Sequence, residues 1–223
     1  MAAELLTMKI FLNNRIIQFT GTSPVNLTEK DFFIVYETQE QLKSCLEKFE
    51  GDPLSSRLII GLDIPGEESL KSCTEKTVTS IKHHPVYQSF LSLFRFVEAA
   101  GGRVRNEKDE ILFIYRFEHW DLPKGKIHKK DKGSPSLAAI REVMEETGLQ
   151  TVNILRELTS TWHIYYAKEQ RCLKRTYWFE MFAESDQPLT PQTEEDILLV
   201  RWISPSDLET ILNKAYPSLR ELF

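Results

Sequence analysis

The sequence predicts an α+β protein, with a small mixed unit first and a larger α+β sandwich after it. Three observations carry this. In the second part the order is strands, one helix, more strands and a final helix, which fits a sandwich better than a doubly wound parallel sheet. The central helix carries start and stop signals, with Ser134, Pro135 and Ser136 at one end and Gly148 at the other. Apolar residues make up 41% and charged residues 27% of 223 positions, enough for a packed core in one large domain or two small ones.

Taken in order, residues 8–12 and 15–19 flank Asn13 and Asn14, which tolerate the positive φ of a tight primed turn, and read as a hairpin. Residues 31–36 read as a buried strand. Thr38 caps a helix through Phe49, in which Leu42, Cys45, Leu46 and Phe49 form one apolar stripe, and Gly51, Asp52 and Pro53 end it. Residues 57–64 are a further strand. Residues 84–100 show helical spacing at Tyr87, Phe90, Leu91, Phe94 and Val97, with Gly101 and Gly102 as a stop. Two extended pieces follow within 103–115, around a turn at Asn106. Residues 120–136 read as loop, punctuated by Pro123, Gly125, Gly133 and Pro135. The capped helix runs to Thr147. Strands are expected at 152–159, 161–167, 175–183 and 198–203, with a polar loop at 186–196 and a last helix at 204–213. The expected division is therefore 1–82, an N-terminal α+β domain of unassigned role; 83–100, a connecting helix; and 101–223, the larger α+β sandwich.

Lys plus Arg is 28 and Asp plus Glu is 33, a formal charge of −5. That balance argues against general nucleic-acid binding, which needs a strong cationic field. Cys45, Cys73 and Cys172 are an odd, widely spaced set, so neither a disulfide framework nor a zinc cluster is expected, and the thiols read as reduced. No basic segment followed by a long apolar run opens the chain, and no run approaches the roughly 20 residues of a membrane span. The expectation is a cytoplasmic protein with no membrane partner.

Glu142, Glu145 and Glu146 stand at i, i+3 and i+4, so one helix turn presents three carboxylates on one face. On a wet surface such like charges oppose the helix by about 0.2–0.5 kcal/mol per pair. On a partly buried face the repulsion rises to roughly 3 kcal/mol per pair, at ~5.5 Å and an effective dielectric of ~20. Something positive belongs there. A hard divalent cation is the natural partner, and Arg141 is placed to orient one carboxylate through a bidentate pair. An ordinary solvated acidic face is the alternative that the Gly-Lys loop before the helix argues against.

Residues Gly125 through Leu149 resemble the Nudix box, the signature of hydrolases that cleave a nucleoside diphosphate linked to another moiety. Arg141, Glu142, Val143, Glu145, Glu146, Gly148 and Leu149 match its second half without a gap, and the stretch from Trp120 to Lys126 is similar to its lead-in. Gly101 to Arg105 and Leu112 to Arg116 look like the family's opening strands. The resemblance runs from near Ala99 to the end and leaves residues 1–80 unassigned. It departs from the pattern in one place: Gly125 to Arg141 is two residues too long. Counting forward puts Asp131 at the first Glu position, counting back puts Gly133 there, and that Glu is absent. In the family this position mainly supports the loop.

The resemblance implies a Nudix-type α/β/α sandwich with a mixed sheet, and a metal-dependent pyrophosphohydrolase. Glu142, Glu145 and Glu146, with the carbonyl of Gly125, would bind Mg²⁺ or Mn²⁺. Arg141 would hold a Glu in place, and water would attack phosphorus. Glu194 or Glu195, in the loop before the last strand, is where many members carry a further catalytic Glu. Lys124, Lys126, Lys174 and Tyr177 are the expected substrate-binding residues, the lysines for phosphates and the ring for a base. The lead-in together with Lys174 and Tyr177 is similar to the diadenosine-polyphosphate and diphosphoinositol-polyphosphate branches, whose many charges suit Lys129, Lys130 and Lys132 as well. His163 reads as structural. A nucleotide-sensing module with weak catalysis, coupled to the N-terminal domain, is the other function carried forward. That domain is left with three roles: dimerisation to a homodimer, covering the site, or binding a regulator.

Overall fold

The structure is a computed structural model, and it describes residues 9–20, 28–35, 37–61 and 85–223. These form two compact units: residues up to Phe96 with His163–Leu173, and Val97–Trp162 with Lys174–Phe223.

In the first unit, β1 (Lys9–Leu12) and β2 (Arg15–Thr20) pair antiparallel with Leu12 opposite Arg15. Asn13 takes the positive φ of 55° that this two-residue turn demands. β3 (Asp31–Val35) is linked through α1 (Gln39–Gly51) to β4 (Arg57–Gly61), which lies between β2 and β3 and parallel to both. Parallel neighbours need such a crossover, and α1 supplies it. Thr38 starts the helix by accepting from the Gln41 N–H at 3.1 Å, and the Gln41 side chain accepts from the Glu37 N–H at 3.0 Å. The expected stripe of Leu42, Cys45, Leu46 and Phe49 is the buried face. At the other end Arg15 donates to the carbonyls of Phe49 and Asp52 (2.5 and 2.9 Å), a cation at the negative end of the helix. α2 (Pro85–Leu91) contributes Tyr87 and Phe90, both edge-on to Phe19.

In the second unit the strand order is β12–β6–β5–β11, with β7 on β6, β8 on β5 and β9 on β11. Their ranges are β5 Arg95–Arg105, β6 Ile111–Arg116, β7 His119–Asp121, β8 Lys124–Lys126, β9 Asn153–Glu157, β10 Thr161–Ala167, β11 Gln170–Phe182 and β12 Ile197–Ile203. Alternation sends successive residues to opposite faces. Leu112 and Phe179 join Val104, Ala138, Ala139 and Val143 beneath α3 (Pro135–Thr147). Phe113 and Trp178 join Leu122, Ile203, Leu212 and Leu219 on the other face, closed by α4 (Leu208–Leu212) and the 3₁₀ turn Pro217–Leu222. A sheet with helices on both faces is the expected α/β/α sandwich.

Several expectations are corrected. The connecting helix over 83–100 ends at Leu91, and Arg95 to Ala100 belong to β5. Gly101 and Gly102 lie inside that strand. A Cβ on Gly101 would sit 2.3 Å from the Pro123 carbonyl oxygen, so the glycine marks where β8 approaches the backbone. The loop at 120–136 contains β7, β8 and a 3₁₀ turn, Lys129–Asp131. β3 is half-buried, not buried, and the last helix is shorter than 204–213. Residues 163–173 fall with the first unit, not with 101–223. Cys45 and Cys172 are free and buried, while Cys73, His83 and His84 lie outside the described residues.

Candidate active site

α3 starts at Ser134, whose Oγ accepts from the Leu137 N–H, and stops at Gly148, whose φ of 79° closes the last turn. Its apolar side seats it on the sheet. That seating buries Glu142 and Glu146 and leaves Glu145 half-exposed. β8 lies directly against this turn. A Cβ on Gly125 would come within 2.0 Å of Glu142 Oε2, so the strand passes close against the carboxylate, and a larger residue would displace the Glu142 side chain.

Arg141 organises one half of the site. Its Nε and Nη2 donate to the two oxygens of Asp131, both at 2.8 Å, and Nη2 also donates to the Lys126 carbonyl at 3.0 Å. Its Nη1 donates to Glu142 Oε1 at 2.6 Å and to Glu145 Oε2 at 2.8 Å. Asp131 is buried and accepts the His128 N–H at 2.6 Å. The Arg141 hydrogen bonds hold the Asp131 carboxyl well below the usual range, and Asp131 in turn raises the guanidinium pKa. Burial pushes Glu142 up despite Arg141. Burial also works against Glu145, but Lys130 (3.1 Å) and Arg141 outweigh it and its pKa falls.

Glu146 anchors the other half. Its Oε2 accepts from the Lys124 N–H at 2.7 Å, and Arg116 Nη1 lies 3.4 Å from Oε1. Burial pushes its pKa up to about 7, with Lys124 and Arg116 pulling the other way. Arg116 is shared: it also stands 3.6 Å from Asp121 and 3.8 Å from Glu195. Asp121 is buried and takes the Lys124 ammonium at 2.5 Å, and despite its burial the nearby Lys124 and Arg116 hold its pKa low. Lys174 lies in the same field. Burial first, then Lys124, brings it down to about 8.

The turn of α3 thus brings Gly125, Arg141, Glu142, Glu145 and Glu146 together, and Arg116 ties in Glu195. Lys124 and Lys174 adjoin Glu146. Lys126 contributes its carbonyl while its side chain is exposed. Tyr177 is engaged elsewhere, donating to Glu98 at 2.7 Å beneath the Arg175 guanidinium. The three carboxylates face different partners. No group of three acidic, His or Cys side chains among the described residues is arranged to hold a metal ion. The physical reason is Arg141, which neutralises Glu142 and Glu145 from one side while Glu146 turns to Lys124 and Arg116. Sequence reasoning missed Arg116 and Asp121. It reached Asp131 by forward counting without assigning it a partner.

The donors fit a hard divalent cation in kind. All are oxygens, Glu142 accepts from Arg141 through Oε1 while its Oε2 lies toward Gly125, and burial raises the pKa of Glu142 and Glu146 despite their cationic partners. No helix among the described residues is long and apolar enough to cross a membrane.

A family model of the NUDIX domain matches residues 95–223. No curated protein matches the chain. Among solved structures, a MutT protein from Methanosarcina mazei Go1 is 24% identical with a TM-score of 0.39, over 58% of this chain and 91% of that one. A C. elegans Ap4A hydrolase is 23% identical with a TM-score of 0.40, over 57% and 96%. The NUDIX domain of Shewanella oneidensis NrtR, complexed with ADP ribose, is 16% identical with a TM-score of 0.45, over 67% and 94%.

Proposed function

The chain belongs to the NUDIX family and is a hydrolase acting on phosphorus anhydrides, and from that premise we propose a Mg²⁺- or Mn²⁺-dependent pyrophosphohydrolase that cleaves a nucleoside diphosphate linked to another moiety. The observation that carries this reading is the burial of Glu142 and Glu146 on one helix turn, with Gly125 of β8 directly against the Glu142 carboxylate. Glu142, Glu146 and the Gly125 carbonyl, with Glu145, would hold the ion. When bound, the ion neutralises the diphosphate and lowers the pKa of water. Glu146, whose Oε atoms face Lys124 and Arg116, is a candidate to accept the proton of the attacking water, and Glu195, 3.8 Å from Arg116, is the alternative. Arg116, Lys124 and Lys174 orient the phosphates, and Asp131 fixes Arg141 and through it Glu142. A dinucleoside polyphosphate is the substrate best matched to this charge, because Lys126, Lys129, Lys130 and Lys132 add an exposed basic loop beside the site.

A panel of dinucleoside polyphosphates, nucleotide sugars and diphosphoinositol phosphates tests this. Release of product is expected only with Mg²⁺ or Mn²⁺, and EDTA abolishes it. Turnover that persists in EDTA contradicts the metal assignment.

One observation favours a second reading. Arg141 occupies oxygens of both Glu142 and Glu145, which leaves fewer carboxylate oxygens for an ion. Tight nucleotide binding with no product across the same panel would select that nucleotide-sensing module.

A further inference from the structure

Edge strands commonly carry devices that stop further pairing: a bulge, an outward charge or a proline. β12 has two of them, a bulge between Ile197 and Leu199 and the exposed Arg201. β3 has none. In its unit the order is β1–β2–β4–β3, so among the described residues β3 has a strand on one side only. Its register with β4 runs unbroken from Asp31 opposite Arg57 to Val35 opposite Gly61. Its one charge, Asp31, is taken up inside the sheet by Arg57, at 2.9 and 2.6 Å. The rest of the strand, Phe32, Phe33, Ile34 and Val35, is apolar, and every one of these side chains keeps some exposure.

Between this edge and α1 lies an open groove of about 300 Å³. Phe32 and Ile34 form its floor, and Gln41, Ser44, Cys45 and Lys48 its wall. The floor is centred on Phe33 and the wall near Ser44. Gln41, Ser44 and Lys48 follow helical spacing along one side of α1, and all three are exposed. These positions are self-complementary. Two identical antiparallel strands that share faces must pair about a residue, because alternation sends neighbours to opposite faces. Pairing about Phe33 sets Phe32 of one copy opposite Ile34 of the other, on the groove side, twice. The same axis passes by Ser44 and lays the two α1 helices antiparallel. Lys48 and Glu40 stand four residues to either side of Ser44, so each lysine faces the other copy's glutamate. Both are exposed in the single chain.

We propose that β3 and α1 form a two-fold contact with a second copy of this chain, joining two sheets edge to edge at Phe33. The two grooves then meet over a shared floor of Phe32 and Ile34, and two Lys48–Glu40 pairs close its ends. A two-fold contact repeats each pair, so one unblunted strand and one helix side suffice to build it. The contact lies within the first unit and does not depend on the hydrolase reading.

Sedimentation velocity of the full chain across a range of concentrations is the test. The wild type is expected to show a monomer–dimer equilibrium. Lys48→Glu sets like charges opposite each other twice and should weaken the dimer about tenfold, as should Glu40→Lys. The Glu40→Lys/Lys48→Glu double variant restores opposite charges and should return to the wild-type constant. Both positions are exposed, so these variants report even where a change in the strand disturbs the fold. Ile34→Lys puts a charge on the open edge and should abolish the dimer. A wild type that stays monomeric throughout, or a dimer that none of these variants weakens, would overturn the proposal. A double variant no tighter than the single ones would overturn the pairing about Phe33 and Ser44.

Discussion

Glu146→Gln should lower kcat by about 10²- to 10⁴-fold with the fold intact, the range of a lost general base or metal-bound carboxylate. The substitution keeps the shape and removes the charge. Its amide still presents an oxygen to the Lys124 N–H, so the helix keeps its seat on β8. The same variant carries a stability signature in metal-free protein. Burial raises the folded pKa to about 7, above the ordinary glutamate value of the unfolded chain. Below the lower value both states are protonated and nothing is linked. Between the two values the unfolded chain ionises while the folded protein stays protonated, so the wild type loses stability as pH rises and levels off above the folded pKa. Gln does not titrate. Melting curves in EDTA should therefore show the variant gaining on the wild type from acid pH to neutrality and holding that gain in mild alkali. A constant difference across pH would mean that Glu146 is not the carboxylate strained by burial.

Arg141→Ala should cost about 3 kcal/mol, because it strands Asp131 and Glu142 as buried charges without their shared partner. Asp131→Ala should take most of the same amount. The double variant should cost far less than the sum, since both changes break one pair. Arg141→Lys should not rescue, because one ammonium has no fork to span Asp131, Glu142 and Glu145 at once. Urea titrations of the four proteins check this. Single variants within about 0.5 kcal/mol of the wild type would show that the loop from Gly125 to Pro135 is held by something else.

What the sequence reveals of this site depends on how local the cause is. The helix was legible from Ser134 to Gly148 because caps and carboxylate spacing are written within a few residues. The Asn13 turn and the Thr38 cap were legible for the same reason. The segment after α2 was not. Phe90, Phe94 and Val97 keep a helical interval, but Ala99 to Gly101 pair with β8, a partner outside the window. Gly101 and Gly102 carried the same ambiguity, since a stop signal and a close strand contact select the same residue. Asp131 stood at the right count for an acidic support, one methylene short of the expected Glu. The 3₁₀ turn Lys129–Asp131 is capped by Lys132, whose φ of 53° turns the chain before Ser134. Arg116 and Asp121 were hidden because their meaning arises only when β6, β7 and α3 meet. The same tertiary effect explains why three aligned carboxylates part company: their spacing places them on one face, but the cations that reach them arrive from separate strands and loops.

The central claim is that Glu142 and Glu146, with Gly125 behind them, form the seat of a divalent ion that grips the substrate's phosphates. Electron paramagnetic resonance of Mn²⁺, titrated in the presence of α,β-methylene-ADP, tests it most directly. The account predicts saturable binding at one or more sites in the wild type and its loss in the Glu142→Gln/Glu146→Gln double variant, whose circular dichroism should stay native. Equal Mn²⁺ binding by the folded double variant would contradict it.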